Sequence, residues 1–95
     1  MNTYETIVIY DPALTTDEIT ANIDKVKGKI DNAGELVQVE EWGKRKLAYL
    51  INNKYTEGHY VLFEYKGTKE LLDDLEHSFR ISANVIRHMI VKKED

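Results

Sequence analysis

The chain has no cysteine and a single proline, Pro12, among its 95 residues. Without cysteine there is neither a disulfide nor a thiolate metal site, so stability has to come from packing, and a reducing, cytosolic setting is the natural expectation. Long apolar runs are also missing. A stretch such as Ile7-Val8-Ile9-Tyr10 falls far short of the roughly 20 residues that cross a bilayer, and the N-terminus has no basic region followed by an apolar segment. A soluble protein without a secretory leader, and with no membrane contact, is expected.

Catalytic signatures are equally scarce. The histidines His59, His77 and His88 have no i, i+4 partner, so zinc ligation lacks its usual spacing. Glu40-Glu41 and Asp73-Asp74 are sequence neighbours whose side chains diverge, which is not how an acid/base pair is built. No glycine-rich loop cradles a phosphate, and Ser78 and Ser82 have no nucleophile-elbow context. The reading is a non-enzyme without cofactor, metal or small-molecule substrate.

What is present, 42% apolar and 32% charged residues, suits one small domain spanning residues 1–95. Tyr4 to Tyr10 is rich in β-branched and aromatic residues and is stopped by Asp11-Pro12, a strand ended by a turn. Thr15-x-x-Glu18 forms a capping-box pattern ahead of Ile19, Ile23, Val26 and Ile30, the stripe of an amphipathic helix. Gly34 follows as an expected left-handed stop, and Gly28 inside the helix costs about 1 kcal/mol relative to Ala. Leu36 to Ile51 reads as a long strand with a bulge at Trp42-Gly43, and the polar run from Asn52-Asn53-Lys54 to Glu57-Gly58 as its hairpin connection. A strand from His59 to Tyr65, a helix with Leu71, Leu72, Leu75 and Phe79 after Gly67-Thr68, and a strand from Val85 to Lys92 complete the order; Glu94-Asp95 reads as a frayed end. Strand, helix, strand, strand, helix, strand is the α+β split βαβ (ferredoxin-like) arrangement: a four-stranded antiparallel sheet with both helices on one face.

Such a sheet has an uncovered face, where polar residues are expected. Here both parities are apolar: Thr6, Val8 and Tyr10 alternate with Ile7 and Ile9, Val61 and Phe63 with Tyr60 and Leu62, and Ile86, His88 and Ile90 with Arg87, Met89 and Val91. An apolar open face marks an interaction surface. The candidates are Ile7, Ile9, Tyr60, Leu62, Met89 and Val91, covered by a protein partner or a second copy of the chain, unless they are simply tolerated at the surface.

A net charge of −4 argues against nucleic acid, yet the charge is divided. Residues 42–50 hold Lys44, Arg45 and Lys46, and residues 80–93 hold Arg80, Arg87, Lys92 and Lys93, with no acid in either stretch. The remaining six bases face 17 acids, a formal charge of −11. Basic residues interleaved with Trp42, Tyr49 and Tyr4 offer phosphate contacts and rings for base stacking. Trp42 could equally be a ring covering the bulge at Gly43. The same fold hosts acylphosphatase-like enzymes, but Asp11-Pro12-Ala13-Leu14 offers no anion cradle after the first strand. It also hosts single-strand RNA readers, and Gly58-His59-Tyr60-Val61-Leu62-Phe63 is out of register with their third-strand motif.

Together, Tyr4-Glu5, the run Glu41-Trp42-Gly43-Lys44-Arg45-Lys46-Leu47-Ala48-Tyr49-Leu50-Ile51, Gly58-His59-Tyr60, Phe79-Arg80 and Asn84-Val85-Ile86-Arg87 resemble the bacterial small-subunit ribosomal protein six family in order and spacing. The resemblance covers essentially the whole chain. It implies a non-enzymatic cytoplasmic protein of the ribosome, binding the central domain of 16S ribosomal RNA as a heterodimer with ribosomal protein eighteen. It further implies that Arg45, Lys46, Arg80 and Arg87, with Lys44 and Tyr4, face RNA. The chain departs from the family pattern where Leu50 replaces Pro, Lys46 replaces Arg, and Asn2-Thr3 replace basic residues. Losing an arginine removes a bidentate phosphate donor. A free-standing ligand-binding or regulatory domain dimerising through its sheet is the alternative.

Overall fold

The computed structural model describes residues 2–51 and 55–93. Six elements follow in order: β1 (Asn2–Tyr10), α1 (Thr16–Ala33), β2 (Glu35–Ile51), β3 (Tyr55–Gly67), α2 (Lys69–Ile81) and β4 (Val85–Lys93). The strands form one antiparallel sheet in the spatial order β2-β3-β1-β4, as expected of the split βαβ arrangement. Strand β3 starts at Tyr55, so Glu57 and Gly58 belong to it and not to a connection. The expected turn residues Asn52-Asn53-Lys54 and the Glu94-Asp95 end lie outside the described residues.

Each helix starts where its hydroxyl cap dictates. Thr15 accepts from the Glu18 N–H while the Glu18 carboxylate accepts from the Thr15 N–H, at 3.2 and 3.0 Å, satisfying two amides that the helix leaves without partners. Thr68 does the same more loosely for α2, accepting from Leu71 at 3.4 Å. The end of α1 differs from expectation. Gly34 has φ −161°, extended and not left-handed, and its N–H donates to the Ile30 carbonyl at 2.7 Å. A glycine is needed there for space, because a Cβ would run into the Lys66 carbonyl oxygen.

Both helices pack on the same side of the sheet. Ile19, Ile23, Val26 and Ile30 of α1 and Leu71, Leu75 and Phe79 of α2 share one buried cluster with Val8 and Tyr10 of β1 and Val61, Phe63 and Tyr65 of β3. Each such side chain contributes roughly 1.5–3 kcal/mol of transfer free energy. The Thr6 and Tyr65 hydroxyls, both buried, share a hydrogen bond of 2.7 Å. Burial pushes the Tyr65 phenol above its usual range, and the bond to Thr6 offsets part of that shift. Between the helices, Lys29 pairs with Asp74 at 3.2 Å on a partly exposed surface, a contact of about 0.2–1 kcal/mol. Packing holds the layers.

Two stability predictions follow from named positions. A Cβ at Gly28 would meet no atom within 4 Å, so Gly28→Ala should raise the unfolding free energy by about 1 kcal/mol in a urea titration. His88 lies on the helix side of β4 with its ring 5.4 Å from that of Phe79. Burial lowers its pKa, Glu76 raises it and Arg80 lowers it. The unfolded chain therefore takes up the proton at higher pH than the folded one. The stability contributed by neutral His88 is full above pH 6.5, the ordinary value, and is lost as pH falls below it. Thermal unfolding of the wild type and His88→Gln across this range should show a flatter pH dependence in the variant.

Candidate nucleic-acid interface

The β1–β3 register places Ile7 opposite Leu62, Ile9 opposite Tyr60 and Glu5 opposite Glu64, all on the face that the helices leave open. On the outer strands, Met89 and Arg87 of β4 continue the Ile7 and Ile9 rows, and Glu40 and Gly43 of β2 continue the Leu62 and Tyr60 rows. Cross-strand neighbours point the same way, so the open face has three zones. At one end is an acidic row of Glu5 and Glu64, in the middle an apolar band, and at the other end an aromatic and basic group.

The acidic row is partly neutralised within the chain. Two carboxylates directly opposite one another repel, and Lys93 at the end of β4 reaches both, 3.3 Å from Glu5 and 3.2 Å from Glu64. Hydrogen bonds to Glu64 and then Glu5 hold its ammonium above the usual lysine range. Gln38 adds a bond to Glu64 at 3.0 Å.

In the apolar band the expected partner-surface residues differ widely in exposure. Ile9 and Leu62 are only 8% and 7% exposed, whereas Met89 and Val91 are 54% and 50% exposed. Gly58 explains part of this: lacking a side chain, it leaves room into which the Ile9 Cγ2 settles, with the Ile86 Cδ1 beside it. Ile7 and Tyr60 are half-buried. The accessible apolar area is therefore displaced toward the β4 edge. Val37 and Ile81, 48% and 70% exposed, lie outside the expected set. Val37 sits at a register shift between Leu36 and Gln38, and Ile81 is the last residue of α2. The shift had no glycine to announce it.

The expected bulge at Trp42-Gly43 is present: the β2–β3 register shifts between Glu41 and Gly43, and Gly43 takes φ +76°, a left-handed conformation that favours glycine. The bulge sets the Trp42 ring against Tyr60 (centroids 6.3 Å apart, planes 16° apart), with the Arg45 guanidinium carbon over the indole at 5.2 Å. The indole N–H donates to the Glu40 carboxylate at 3.2 Å. An exposed cation–π contact of this kind contributes about 0.5–1 kcal/mol.

Beyond this point β2 and β3 pair past the end of β1, whose last partner is His59, so Lys44, Arg45 and Lys46 lie at the base of a projecting hairpin. Lys44 pairs with His59 and Lys46 with Glu57, on the opposite side of the ribbon from Arg45. The side chains of residues 47–51, Tyr49 among them, are outside what is described. Arg80 closes α2 at the same end of the sheet, but on the helix side, bonded to Glu76 at 2.8 Å. Arg87 reaches that end on the open side. Trp42, Lys44, Arg45, Lys46, Arg80 and Arg87 thus converge on one end of the molecule, wrapped around both faces of the sheet.

Tyr4 does not join them as a stacking ring. It is 8% exposed and packs in the core, 6.0 Å from the Tyr65 ring, because even-numbered β1 residues face the helices. Its hydroxyl accepts a bond from the Asn2 amide at 3.3 Å. Among the described residues no cluster of His, Asp and Glu could hold a metal ion, and no helix is long and apolar enough to cross a membrane.

The fold and this site define the chain as a split βαβ protein with a bare sheet face and a basic, aromatic end. Comparison with known proteins specifies it further. The sequence profile of ribosomal protein S6 matches residues 3–92. Small ribosomal subunit protein bS6 of Clostridium botulinum (strain Langeland) is 47% identical over 95 residues, covering 99% of this chain and 100% of the relative; that of Clostridium novyi is 46% identical over 99% of each. The crystal structure of 30S ribosomal protein S6 from Thermotoga maritima superposes with a TM-score of 0.90 at 29% identity, over 97% of this chain and 87% of the other. A chemotaxis kinase CheA P2 domain, at 16% identity and a TM-score of 0.51, shares the fold alone. The chain belongs to the ribosomal protein S6 family, and its place is the small ribosomal subunit in the cytoplasm.

The Lys93 clasp yields a prediction. Lys93→Met should lower the thermal unfolding midpoint at low salt, and adding Glu5→Gln should recover part of the loss by removing one of the opposed carboxylates. An unchanged midpoint in the single variant would show that solvent screens the pair.

Proposed function

We propose that this chain is a non-catalytic structural component of the small ribosomal subunit that binds the central domain of 16S ribosomal RNA together with ribosomal protein eighteen. The whole chain acts as one ribosomal-protein domain. The observation that carries the reading is the convergence of six basic and aromatic side chains on one end of the sheet. Among the described residues, no carboxylate makes an ion pair with Lys44, Arg45 or Lys46, although Glu57 is the cross-strand neighbour of Lys46. An acidic protein that leaves these cations without ion pairs at one end is arranged for phosphate. Arg80 and Arg87 extend the contact to either side of β4, and Trp42 supplies the ring. Tyr4, buried against Tyr65 beside Glu5 at the opposite end of β1, takes no part in this surface.

Ribosomal protein eighteen takes the apolar band, resting on Met89, Val91 and Ile7 and abutting Ile9, Leu62 and Tyr60. With an overall charge of −4 and only this basic end, the chain alone binds RNA weakly, and the partner completes the site.

Replacing Lys44, Arg45 and Lys46 by Ala should flatten the slope of log affinity against log salt for a central-domain RNA fragment in the presence of protein eighteen. Each lost phosphate contact removes about 0.7–0.9 of a unit. An unchanged slope removes these residues from the RNA surface. Failure of the chain, protein eighteen and RNA to form a complex at moderate salt overturns the reading, and a tight homodimer in sedimentation favours the sheet-dimerising alternative.

A further inference from the structure

The Trp42 indole is held in place before any ligand arrives. Its N–H is tied to Glu40 and its ring lies along that of Tyr60. A rigid, partly exposed ring of this kind loses little side-chain entropy on binding, which is what makes a good stacking surface. The group that lies over it is Arg45, the one member of the basic triplet on the open side of the ribbon.

We propose that Trp42 is a nucleobase platform that Arg45 covers in the free chain and vacates on binding, with Tyr60 as the wall that holds the indole. The proposal rests on the RNA reading above and deepens it. An exposed guanidinium–indole contact is weak, whereas a base on an aromatic ring is a stronger and sequence-tolerant contact. Arg45 has no carboxylate partner among the described residues, so when it leaves the ring its donors are available to a phosphate. One nucleotide supplies both halves of the exchange: its base takes the indole and an adjoining phosphate takes the guanidinium. Tyr60, expected on the protein-partner surface, belongs to this site through its contact with Trp42. The partner's footprint then meets the base platform at the Ile9–Tyr60 row.

Trp42 is the only tryptophan, so its fluorescence reports the site directly. Three probes separate base from backbone: neutral adenosine, a ten-nucleotide single-stranded RNA, and an abasic ribose-phosphate oligomer of the same length. The RNA should quench Trp42, and the abasic oligomer should bind with a similar salt dependence without quenching. Removing the cover in Arg45→Gln should let adenosine quench at about threefold lower concentration than in the wild type, while Tyr60→Leu should weaken quenching by RNA without changing the salt slope. Equal adenosine quenching in wild type and Arg45→Gln overturns the cover. RNA that binds with its full salt slope but leaves Trp42 unquenched overturns the platform and spares the RNA reading. Absence of any binding to RNA, with or without protein eighteen, overturns that reading itself. Quenching by protein eighteen alone, undisturbed by RNA, assigns the ring to the protein interface and also overturns the platform.

Discussion

Val8 opposite Val61, both fully buried at the centre of the β1–β3 pair, sets the register on which the rest of the molecule depends. That register sends Tyr10, Phe63 and Tyr65 toward the helices and Ile7, Ile9, Tyr60 and Leu62 away from them. In a strand, a slip of one residue exchanges the two faces. Here both faces are apolar, so hydrophobicity alone does not forbid the slip. The buried Thr6–Tyr65 hydrogen bond helps to forbid it, because a slip of β1 would turn the Thr6 hydroxyl onto the open side and leave that of Tyr65 buried without its partner. The Glu5 carboxylate acts in the same direction, since the same slip of β1 would carry it under the helices.

From the same register comes the division of the open face. Its acidic row is bridged and partly neutralised by Lys93, its middle is apolar, and its far end holds Trp42, Arg45 and Arg87 beside the projecting hairpin. A protein with an overall negative charge can carry a basic end because topology brings Arg80 and Arg87 to the end of the sheet where the Lys44-Arg45-Lys46 run lies. The turn after α2 returns the chain to the end of the sheet where the β2–β3 ribbon projects. That brings Arg80 and Arg87 to the same end as Lys44, Arg45 and Lys46.

Local chemistry made much of the fold legible from sequence. The Thr15–Glu18 capping box, the Ile19–Ile30 stripe and the Trp42-Gly43 bulge are each signalled by residues a few positions apart, and all three are present. Burial on the open face was not legible. Tyr4, Ile9 and Leu62 belong to strands that are apolar on both sides, and only the cross-strand arrangement reveals that Tyr4 is in the core and that Ile9 settles over Gly58. The conformation of Gly34 was misread for a similar reason: the constraint on it comes from the Lys66 carbonyl of a distant strand, which no helix-ending rule contains. The basic residues were identifiable from their lack of neighbouring acids, but their distribution around both sides of one sheet end required the structure, as did the stacking of Trp42 with Tyr60 and Arg45.

The most direct test of this account is a map of photo-induced protein–RNA crosslinks in the complex of the chain with protein eighteen and a central-domain RNA fragment. Crosslinked peptides should contain Trp42 to Lys46 and the segment around Arg87, with none from α1 or from the acidic row around Glu5 and Glu64. Crosslinks concentrated on that acidic row or on α1, with the Trp42 end unlabelled, would contradict it.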